Sequence, residues 1–160
     1  MIRPDLTDLR FAAGGQRPHS GRQGVPAAMT GINLATQILV IEDELMIAWM
    51  VESLLEDIGF TSIALAATGE QALEVARGGA PGLIITDVNL GPGMDGIAAA
   101  SAIQAHSAAP VILTTGYSLD EARSRSVGTI PGVTILRKPV QALELRNAIA
   151  RVLAGSESSN

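Results

Sequence analysis

The segments QILVIEDE at residues 37–44 and GLIITDVNL at residues 82–90 decide the fold, because each joins an apolar, β-branched run to polar and acidic residues. Near-continuous apolar runs of this kind are typical of strands buried on both faces of a parallel sheet. Three further runs are TSIALA, PVILTT and GVTIL. The sequence therefore predicts five buried strands, at residues 37–42, 61–66, 82–87, 110–115 and 132–136.

Helical patterns lie between these strands. The first is an apolar stripe with a period near 3.6, followed by Gly59 where a C-cap belongs; it consists of Ile47, Met50, Val51, Leu54, Leu55 and Ile58. Further helices are predicted at 69–78, 95–106 and 140–153, with Gly155 ending the last, while residues 119–126 have room only for a short, weakly apolar helix. The alternation predicts the α/β class, with a doubly wound, five-stranded parallel sheet in the order 2-1-3-4-5.

The chain of 160 residues is long enough for one domain, and 47% of its residues are hydrophobic. We expect this domain at residues 37–154. Residues 1–36 carry four arginines among glycines and prolines without an apolar period, so they are predicted to form a disordered tail. A second, short disordered tail is predicted at residues 155–160.

Charge and composition exclude several classes of function. The net charge is −5, which disfavours direct binding to nucleic acids or anionic membranes. There is no cysteine, so disulfides and thiolate metal sites are excluded. Neither a secretory signal nor an apolar run of about 18 residues that could span a bilayer is present. A cytoplasmic location is the expectation.

Carboxylates follow two strands that are neighbours in the predicted order. Glu42 and Asp43 follow the first strand and Asp87 ends the third, so all three should meet at the edge where ligands bind in such sheets. Three carboxylates at close range repel one another, and a hard divalent cation relieves that repulsion. The sequence therefore predicts a Mg²⁺ site with oxygen ligands.

A nucleophilic role for Asp87 follows from the same arrangement, since ionised carboxylates accept phosphoryl groups in aspartyl-phosphate chemistry. Phosphoryl transfer needs positioning and charge neutralisation, which Thr115 and Lys138 on the fourth and fifth strand ends can supply. Taken singly, each residue has an ordinary explanation: the acidic ones as helix caps, Thr115 as a turn residue, and Lys138 as a solvated charge. The constellation as a whole carries the prediction.

At residues 37–153 the sequence resembles the receiver domain of two-component response regulators, a flavodoxin/CheY-like fold. The segments that carry the resemblance are ILVIEDE, IITDVNL, GMDGI, PVILTTG and RKP, in that order. The resemblance implies that Asp87 is the phospho-acceptor and that Glu42, Asp43, Asp87 and the backbone carbonyl of Asn89 bind Mg²⁺. It also implies a switch hydroxyl at Thr115 beside Gly116, a phosphate-binding Lys138, and a cis Lys138–Pro139 bond.

Two features depart from the common receiver pattern. Ile135 stands where many receivers have an aromatic switch residue, and Tyr117 follows Thr115 in the string TTGYS. The loop DVNLGPGMDG is one residue longer than usual. These features resemble an atypical subgroup of single-domain receivers with a TGY motif, which makes Tyr117 and Ile135 candidate coupling residues. Two alternatives for Tyr117 are a partial lid that slows attack of water on the acyl phosphate and an ordinary surface tyrosine.

Three other functions remain open at this stage. Gly91, Gly93 and Gly96 spell the GxGxxG of dinucleotide-binding enzymes, although Pro92 and the nearby Asp87 fit a pyrophosphate poorly. A hydrolase with an aspartyl nucleophile would need an acid two residues later, where this chain has Asn89. A degenerate receiver could bind partners without phosphorylation.

The resemblance implies a signalling domain rather than a metabolic enzyme, one that catalyses only its own phosphorylation and slow dephosphorylation. Its expected partners are a histidine kinase or phosphotransfer protein and an unknown downstream protein. Leu45 and Trp49 lie off the core stripe of the first helix, so they are predicted to form an exposed apolar pair that docks a partner helix.

Overall fold

A computed structural model of the chain describes residues 32–126 and 129–156. Five strands alternate with five helices. In chain order they are β1 (Ile38–Ile41), α1 (Leu45–Ile58), β2 (Ile63–Ala66), α2 (Gly69–Gly78), β3 (Leu83–Asp87), α3 (Gly96–Gln104), β4 (Val111–Thr115), α4 (Leu119–Ser126), β5 (Thr134–Arg137) and α5 (Ala142–Ser156). The strands form one sheet in the order β2-β1-β3-β4-β5, and every pair is parallel. The predicted fold class and strand order are confirmed.

Side-chain alternation along the strands divides the core into two layers. Ile38 and Val40 of β1 point to the side covered by α1 and α5, where Leu55 and Ile149 are fully buried. Leu39 of β1 points to the opposite side, which α2, α3 and α4 cover. Because both faces are covered, every residue of β1, β3 and β4 is buried.

The first helix ends as its sequence predicts. Gly59 has φ +115°, a left-handed conformation that favours glycine, and its N–H donates to the carbonyl oxygens of Leu55 and Glu56. The predicted core stripe is wrong at one position, since the Met50 side chain is 39% exposed. Met50 lies at the edge of the stripe, and Val51 occupies the core there instead.

The boundaries of the folded unit differ from the predicted ones at both ends. Residues 32–36 were expected in the N-terminal tail, yet Ile32 and Leu34 pack against the core and the Leu34 carbonyl accepts a hydrogen bond from Thr61 N–H. At the other end α5 continues to Ser156, so Gly155 lies inside the helix instead of ending it. The rest of the two predicted tails, residues 1–31 and 157–160, lies outside the described residues.

The fifth strand starts two residues later than predicted. Gly132 has φ +66° and belongs to a turn, and the ladder with β4 pairs Thr134 with Ile112 and Arg137 with Thr115. The shift matters for the site, because it places Lys138 directly after the last paired residue of β5.

Candidate functional site

Neighbouring strands bring the three predicted carboxylates together. In the β1–β3 ladder Ile41 lies opposite Thr86, so Glu42 and Asp43 leave β1 beside the end of β3. One carboxylate oxygen from each of Glu42, Asp43 and Asp87 lies within 4.8 Å of the others. Glu42 and Asp87 are buried and Asp43 is exposed, so the group faces solvent on one side.

Lys138 supplies the positive charge of this group. Its Nζ lies 2.7 Å from Asp87 Oδ2 and 2.7 Å from Glu42 Oε2, with the lysine side chain only 16% exposed. The Lys138 N–H donates to the Thr115 carbonyl oxygen at 2.8 Å, which fixes the backbone beside β4. The Lys138–Pro139 peptide bond is cis, as the resemblance implied.

Burial and pairing shift two pKa values in the group. Burial raises the pKa of Glu42 above its ordinary value of 4.5, and the hydrogen bond and charge of Lys138 only partly oppose this. Burial lowers the pKa of Lys138, but its hydrogen bonds to Asp87 and Glu42 outweigh burial and leave the pKa raised. Lys138 is therefore held as a cation between the two carboxylates.

The donor set fits Mg²⁺. Three carboxylates face a single lysine, so negative charge remains in excess, and a hard divalent cation with oxygen ligands would balance it. An open cleft of about 400 Å³ gives access, lined by Asp43, Glu44, Asp87, Asn89, Gly91, Gly116, Tyr117 and Lys138. Asn89 lies at the site as predicted, and its N–H donates to Asp87 Oδ1 at 3.3 Å.

Thr115 and Tyr117 form the far side of the site. Asp87 is opposite Thr114 in the β3–β4 ladder, which places Thr115 one residue further along the edge. Thr115 is fully buried, and its Oγ1 accepts a hydrogen bond from Tyr117 N–H at 3.0 Å. The Tyr117 side chain is 51% exposed and lines the cleft, so it stands at the entrance.

The other candidate coupling residue lies away from the cleft. Ile135 is half-buried on β5 and packs against the core layer beneath α2, α3 and α4. An aliphatic residue fills this place as part of the core, so Ile135 lacks the polar handle that an aromatic tyrosine would give.

The glycines of the β3–α3 loop have structural reasons of their own. Gly91 has φ +69°, and a Cβ there would lie 3.4 Å from Asp43 Oδ2. A Cβ on Gly96 would lie 1.8 Å from the Asp87 carbonyl oxygen, so any other residue would push α3 away from β3. Gly93 also has a positive φ, +106°, so backbone conformation at Gly91 and Gly93 and close packing at Gly96 account for the three glycines without a dinucleotide.

The helix-cap explanation fails for the acidic residues of the site. Asp95 is the cap of α3, where its Oδ1 accepts from Ala98 N–H at 2.8 Å, and Asp87 is not involved. Glu44 occupies the N-cap position of α1 and makes no side-chain cap bond. Glu42 accepts from Glu44 N–H at 3.2 Å but mainly faces Lys138.

Two residues at the edge of the site, Arg125 and Glu70, make contacts that the sequence did not predict. Arg125 of α4 donates to Asn89 Oδ1 at 3.3 Å and pairs with Asp95 Oδ2 at 3.1 Å. Glu70 of α2 accepts from Met94 N–H at 3.2 Å, which secures the long β3–α3 loop from the other side. Neither has a local sequence signal, since the partners are 24 to 36 residues apart.

The predicted apolar pair on α1 is altered in the structure. Trp49 is 45% exposed as expected, but Leu45 is half-buried and borders a small cavity that Ala48 and Leu65 also line. Met46 and Met50 are exposed instead, so the apolar surface of α1 consists of Met46, Trp49 and Met50. We call these three residues the α1 patch.

The model of the response regulator receiver domain family matches residues 38–150, which include all of the acidic residues of the site, Thr115 and Lys138. The chain belongs to this family. Receiver domains are signalling domains of two-component systems. The acidic pocket of this chain is of the kind that binds Mg²⁺ in such domains.

Curated relatives of this receiver are regulators of greater length. It is 38% identical to the phyllosphere-induced regulator PhyR of Methylorubrum extorquens over 86 residues. This alignment covers 53% of this chain and 32% of PhyR. It is 33% identical over 115 residues to the transcriptional regulatory protein PdtaR of Mycobacterium tuberculosis, covering 71% of this chain and 54% of PdtaR. The chain thus spans about half or less of these relatives.

Solved structures agree with the fold. The receiver domain of PhyR from Erythrobacter litoralis is 34% identical, with a TM-score of 0.66, 75% of this chain covered and 91% of that one. A response regulator receiver protein from Sinorhizobium medicae is 27% identical, with a TM-score of 0.67, 75% of this chain covered and 95% of that one. Among the described residues, no helix is long and apolar enough to cross a membrane.

Proposed function

We propose that this receiver accepts a phosphoryl group on Asp87 from a histidine kinase or histidine phosphotransfer protein, and that the reaction depends on Mg²⁺. The observation that carries the proposal is the setting of the Asp87 carboxylate. Its Oδ2 is held by Lys138, its Oδ1 by Asn89 N–H, and it opens on a cleft beside Glu42 and Asp43. Such a carboxylate is oriented, ionisable and accessible to a phosphoryl donor.

In the proposed reaction a carboxylate oxygen of Asp87 attacks the phosphorus of a phosphohistidine. The new O–P bond forms as the P–N bond breaks, and the departing imidazole nitrogen keeps the electron pair and then takes a proton. Mg²⁺ held by Glu42, Asp43, Asp87 and the Asn89 carbonyl would neutralise charge on the phosphoryl oxygens. Lys138 contacts the free Asp87 carboxylate and, after phosphorylation, can instead donate a charge-assisted hydrogen bond to a phosphoryl oxygen.

Thr115 is the first residue that we expect to respond to phosphorylation, through a hydrogen bond from its hydroxyl group. Its Oγ1 accepts from Tyr117 N–H, so the hydroxyl hydrogen is left to donate to a phosphoryl oxygen above Gly116. Turning the hydroxyl would move the Thr115–Tyr117 segment and so the side chain at the cleft entrance. With Ile135 in place of an aromatic switch, Tyr117 at the cleft entrance is the residue that we propose to report phosphorylation.

The output is proposed to be a protein–protein interaction. A structural relative from Bartonella quintana is named anti-anti-sigma factor PhyR, but the match covers 51% of that chain, so only part of that protein has a counterpart here. The phosphodonor is proposed to dock on the α1 patch, which lies on the helix that follows Glu42 and Asp43. A cytoplasmic location fits such partners and stays a prediction.

A degenerate receiver is the competing explanation, and the site does not favour it. Such a domain would have lost part of the charged set, whereas here all three carboxylates lie close together and Lys138 pairs with Glu42 and Asp87. Incubation with a phosphorylated histidine phosphotransfer protein and Mg²⁺ tests the difference. We expect radiolabelled phosphate to move to this chain and the transfer to stop with EDTA; retention of all label on the donor would contradict the proposal.

A further inference from the structure

Arg125 joins helix α4 to the loop that follows the acceptor strand. Its Nη1 donates to Asn89 Oδ1 at 3.3 Å, and its Nη2 pairs with Asp95 Oδ2 at 3.1 Å. Asn89 and Asp95 flank the long β3–α3 loop at its two ends. One side chain therefore fixes both ends of this loop to α4.

Both partners of Arg125 already have a role in the loop. The backbone N–H of Asn89 donates to Asp87 Oδ1, so Asn89 contacts the acceptor on one side and Arg125 on the other. Asp95 uses Oδ1 to cap α3 and Oδ2 to bind Arg125. A displacement of Asn89 or of the start of α3 is thus transmitted directly to the guanidinium.

Helix α4 is short, and its C-terminal end is held by the Ser126 carbonyl oxygen, which accepts hydrogen bonds from Thr129 N–H and Ile130 N–H. It has eight residues, of which Ala122 and Ser126 are buried, and its first turn is held by Ser118 Oγ, which accepts from Glu121 N–H at 3.2 Å. A short helix with so little buried apolar surface depends on each polar contact more than a core helix does. The Arg125 contacts therefore add to the anchoring of α4 and connect it to the β3–α3 loop in particular.

We propose that Arg125 is a positioning residue that couples the acceptor site to α4 in this receiver. Its contacts hold Asn89 where the Asn89 backbone carbonyl can bind Mg²⁺, and occupation of the site in turn holds α4 through the same guanidinium. The coupling rests on the proposed Mg²⁺ site but not on phosphoryl transfer. It gives the chain a polar route from the acceptor to α4 that does not pass through the position of Ile135.

Linkage makes this coupling measurable in both directions. If the Arg125 contacts favour the geometry that binds Mg²⁺, Mg²⁺ must favour those contacts by the same factor. The ion pair is partly exposed, so the factor should be about two- to fivefold, the range of surface pairs of this kind. We therefore expect Arg125→Gln to raise the dissociation constant for Mg²⁺ by about two- to fivefold.

The test compares Arg125→Gln with Arg123→Gln, which removes the same charge from an exposed position on the same helix. Mg²⁺ affinity is measured by amide NMR titration, and amide hydrogen exchange of residues 119–126 is measured with and without saturating Mg²⁺. In the parent and in Arg123→Gln, Mg²⁺ should slow exchange in α4; in Arg125→Gln this protection should be lost. Equal behaviour of the two variants, or exchange in the parent that ignores Mg²⁺, would overturn the proposal.

A second variant separates the coupling from general damage to the helix cap. Asp95→Asn keeps an oxygen that can cap α3 but presents an amide to Arg125, so it should reproduce the loss of Mg²⁺-dependent protection. Faster α4 exchange with unchanged Mg²⁺ affinity in both variants would show a merely structural contact and contradict the coupling. Because neither readout uses phosphorylation, a chain that binds Mg²⁺ but takes no phosphoryl group would refute the proposed function and leave this inference standing.

Discussion

Lys138 is the residue whose surroundings would change most when the acceptor is occupied. It pairs with two buried carboxylates, Glu42 and Asp87, and Mg²⁺ and a phosphoryl group would each compete for the same carboxylates. Removing one partner of such a set leaves the other charges buried without compensation, and this is costly. The stability of the fold and the occupancy of the site are therefore linked at one side chain.

We predict that Lys138→Ala lowers the free energy of unfolding by about 2–4 kcal/mol in the absence of divalent ions, since Glu42 and Asp87 lose their cation. Mg²⁺ should restore a larger part of the stability of the variant than of the parent. Urea unfolding with and without Mg²⁺ measures both effects. Arg137→Ala, at the exposed neighbouring position, is the control and should change stability by less than about 0.5 kcal/mol.

The raised pKa of Glu42 makes a pH-dependent prediction. An unfolded chain loses this proton near pH 4.5, before the folded protein does, so stability due to Glu42 is present below pH 4.5 and is lost as pH rises through the folded pKa. In buffer without divalent ions, the free energy of unfolding of the parent relative to Glu42→Gln should fall as the pH rises from 4.5 through the pKa of Glu42 in the folded protein. Denaturation across a pH series measures it; a difference that stays constant or rises would contradict the assignment.

The main residues of the site could be predicted because each lies at or directly after the end of a strand, and the strand order then fixes its position in space. Asp87, Thr115 and Lys138 are of this kind. Arg125 could not be predicted, because its partners depend on how α4 lies against the β3–α3 loop. The half-burial of Leu45 could not be predicted for a similar reason, because Leu45 borders a small cavity whose other side is lined by Leu65 of β2.

At the scale of elements, the strands and the first helix were predictable because their periods are strong, and their ends were less so. The fifth strand was placed two residues early because Gly132 and Val133 continue its apolar run, while the backbone turns at Gly132. Met50 was placed in the core because it adjoins Val51 in the stripe. The period identifies the face of a helix, but packing decides where that face ends.

The junction of β3 and α3 carries a prediction about an element. Gly96→Ala should lower the free energy of unfolding by about 2–4 kcal/mol, because the added methyl would meet the Asp87 carbonyl oxygen and separate the helix from the strand. Gly78→Ala is the matched control at another helical glycine, where a Cβ meets nothing within 4 Å. It should be neutral or stabilise by up to about 1 kcal/mol. Thermal unfolding of the two variants distinguishes these outcomes, and equal stabilities would contradict the close packing.

For the molecule as a whole, the sequence predicted one α/β domain with all charged chemistry on one edge, and the structure has that arrangement. The predicted N-terminal boundary was too late, because Ile32 and Leu34 belong to the core but lack the neighbours in sequence that would reveal a pattern. The α1 patch could not be predicted fully either, since Met46 and Met50 are apolar residues that the fold leaves outside.

The α1 patch predicts a difference between two phosphodonors. Trp49→Ala should slow phosphoryl transfer from a histidine phosphotransfer protein by about tenfold, as expected for loss of an aromatic anchor at an interface. Its reaction with acetyl phosphate, which needs no docking surface, should be unchanged. Leu143→Ala, an exposed apolar position on α5, is the control. Equal losses with both donors would place the effect of Trp49 in the site and not in docking.

Phosphorylation of Asp87 would add a fixed mass to the protein, and intact-mass spectrometry detects this addition. The parent and Asp87→Ala are incubated in parallel with acetyl phosphate and Mg²⁺, and the intact mass of each protein is then measured. We predict that the parent gains the mass of one phosphoryl group, that chelation of Mg²⁺ prevents the gain, and that Asp87→Ala gains nothing. An unmodified parent, or an equal gain in the variant, would contradict the account.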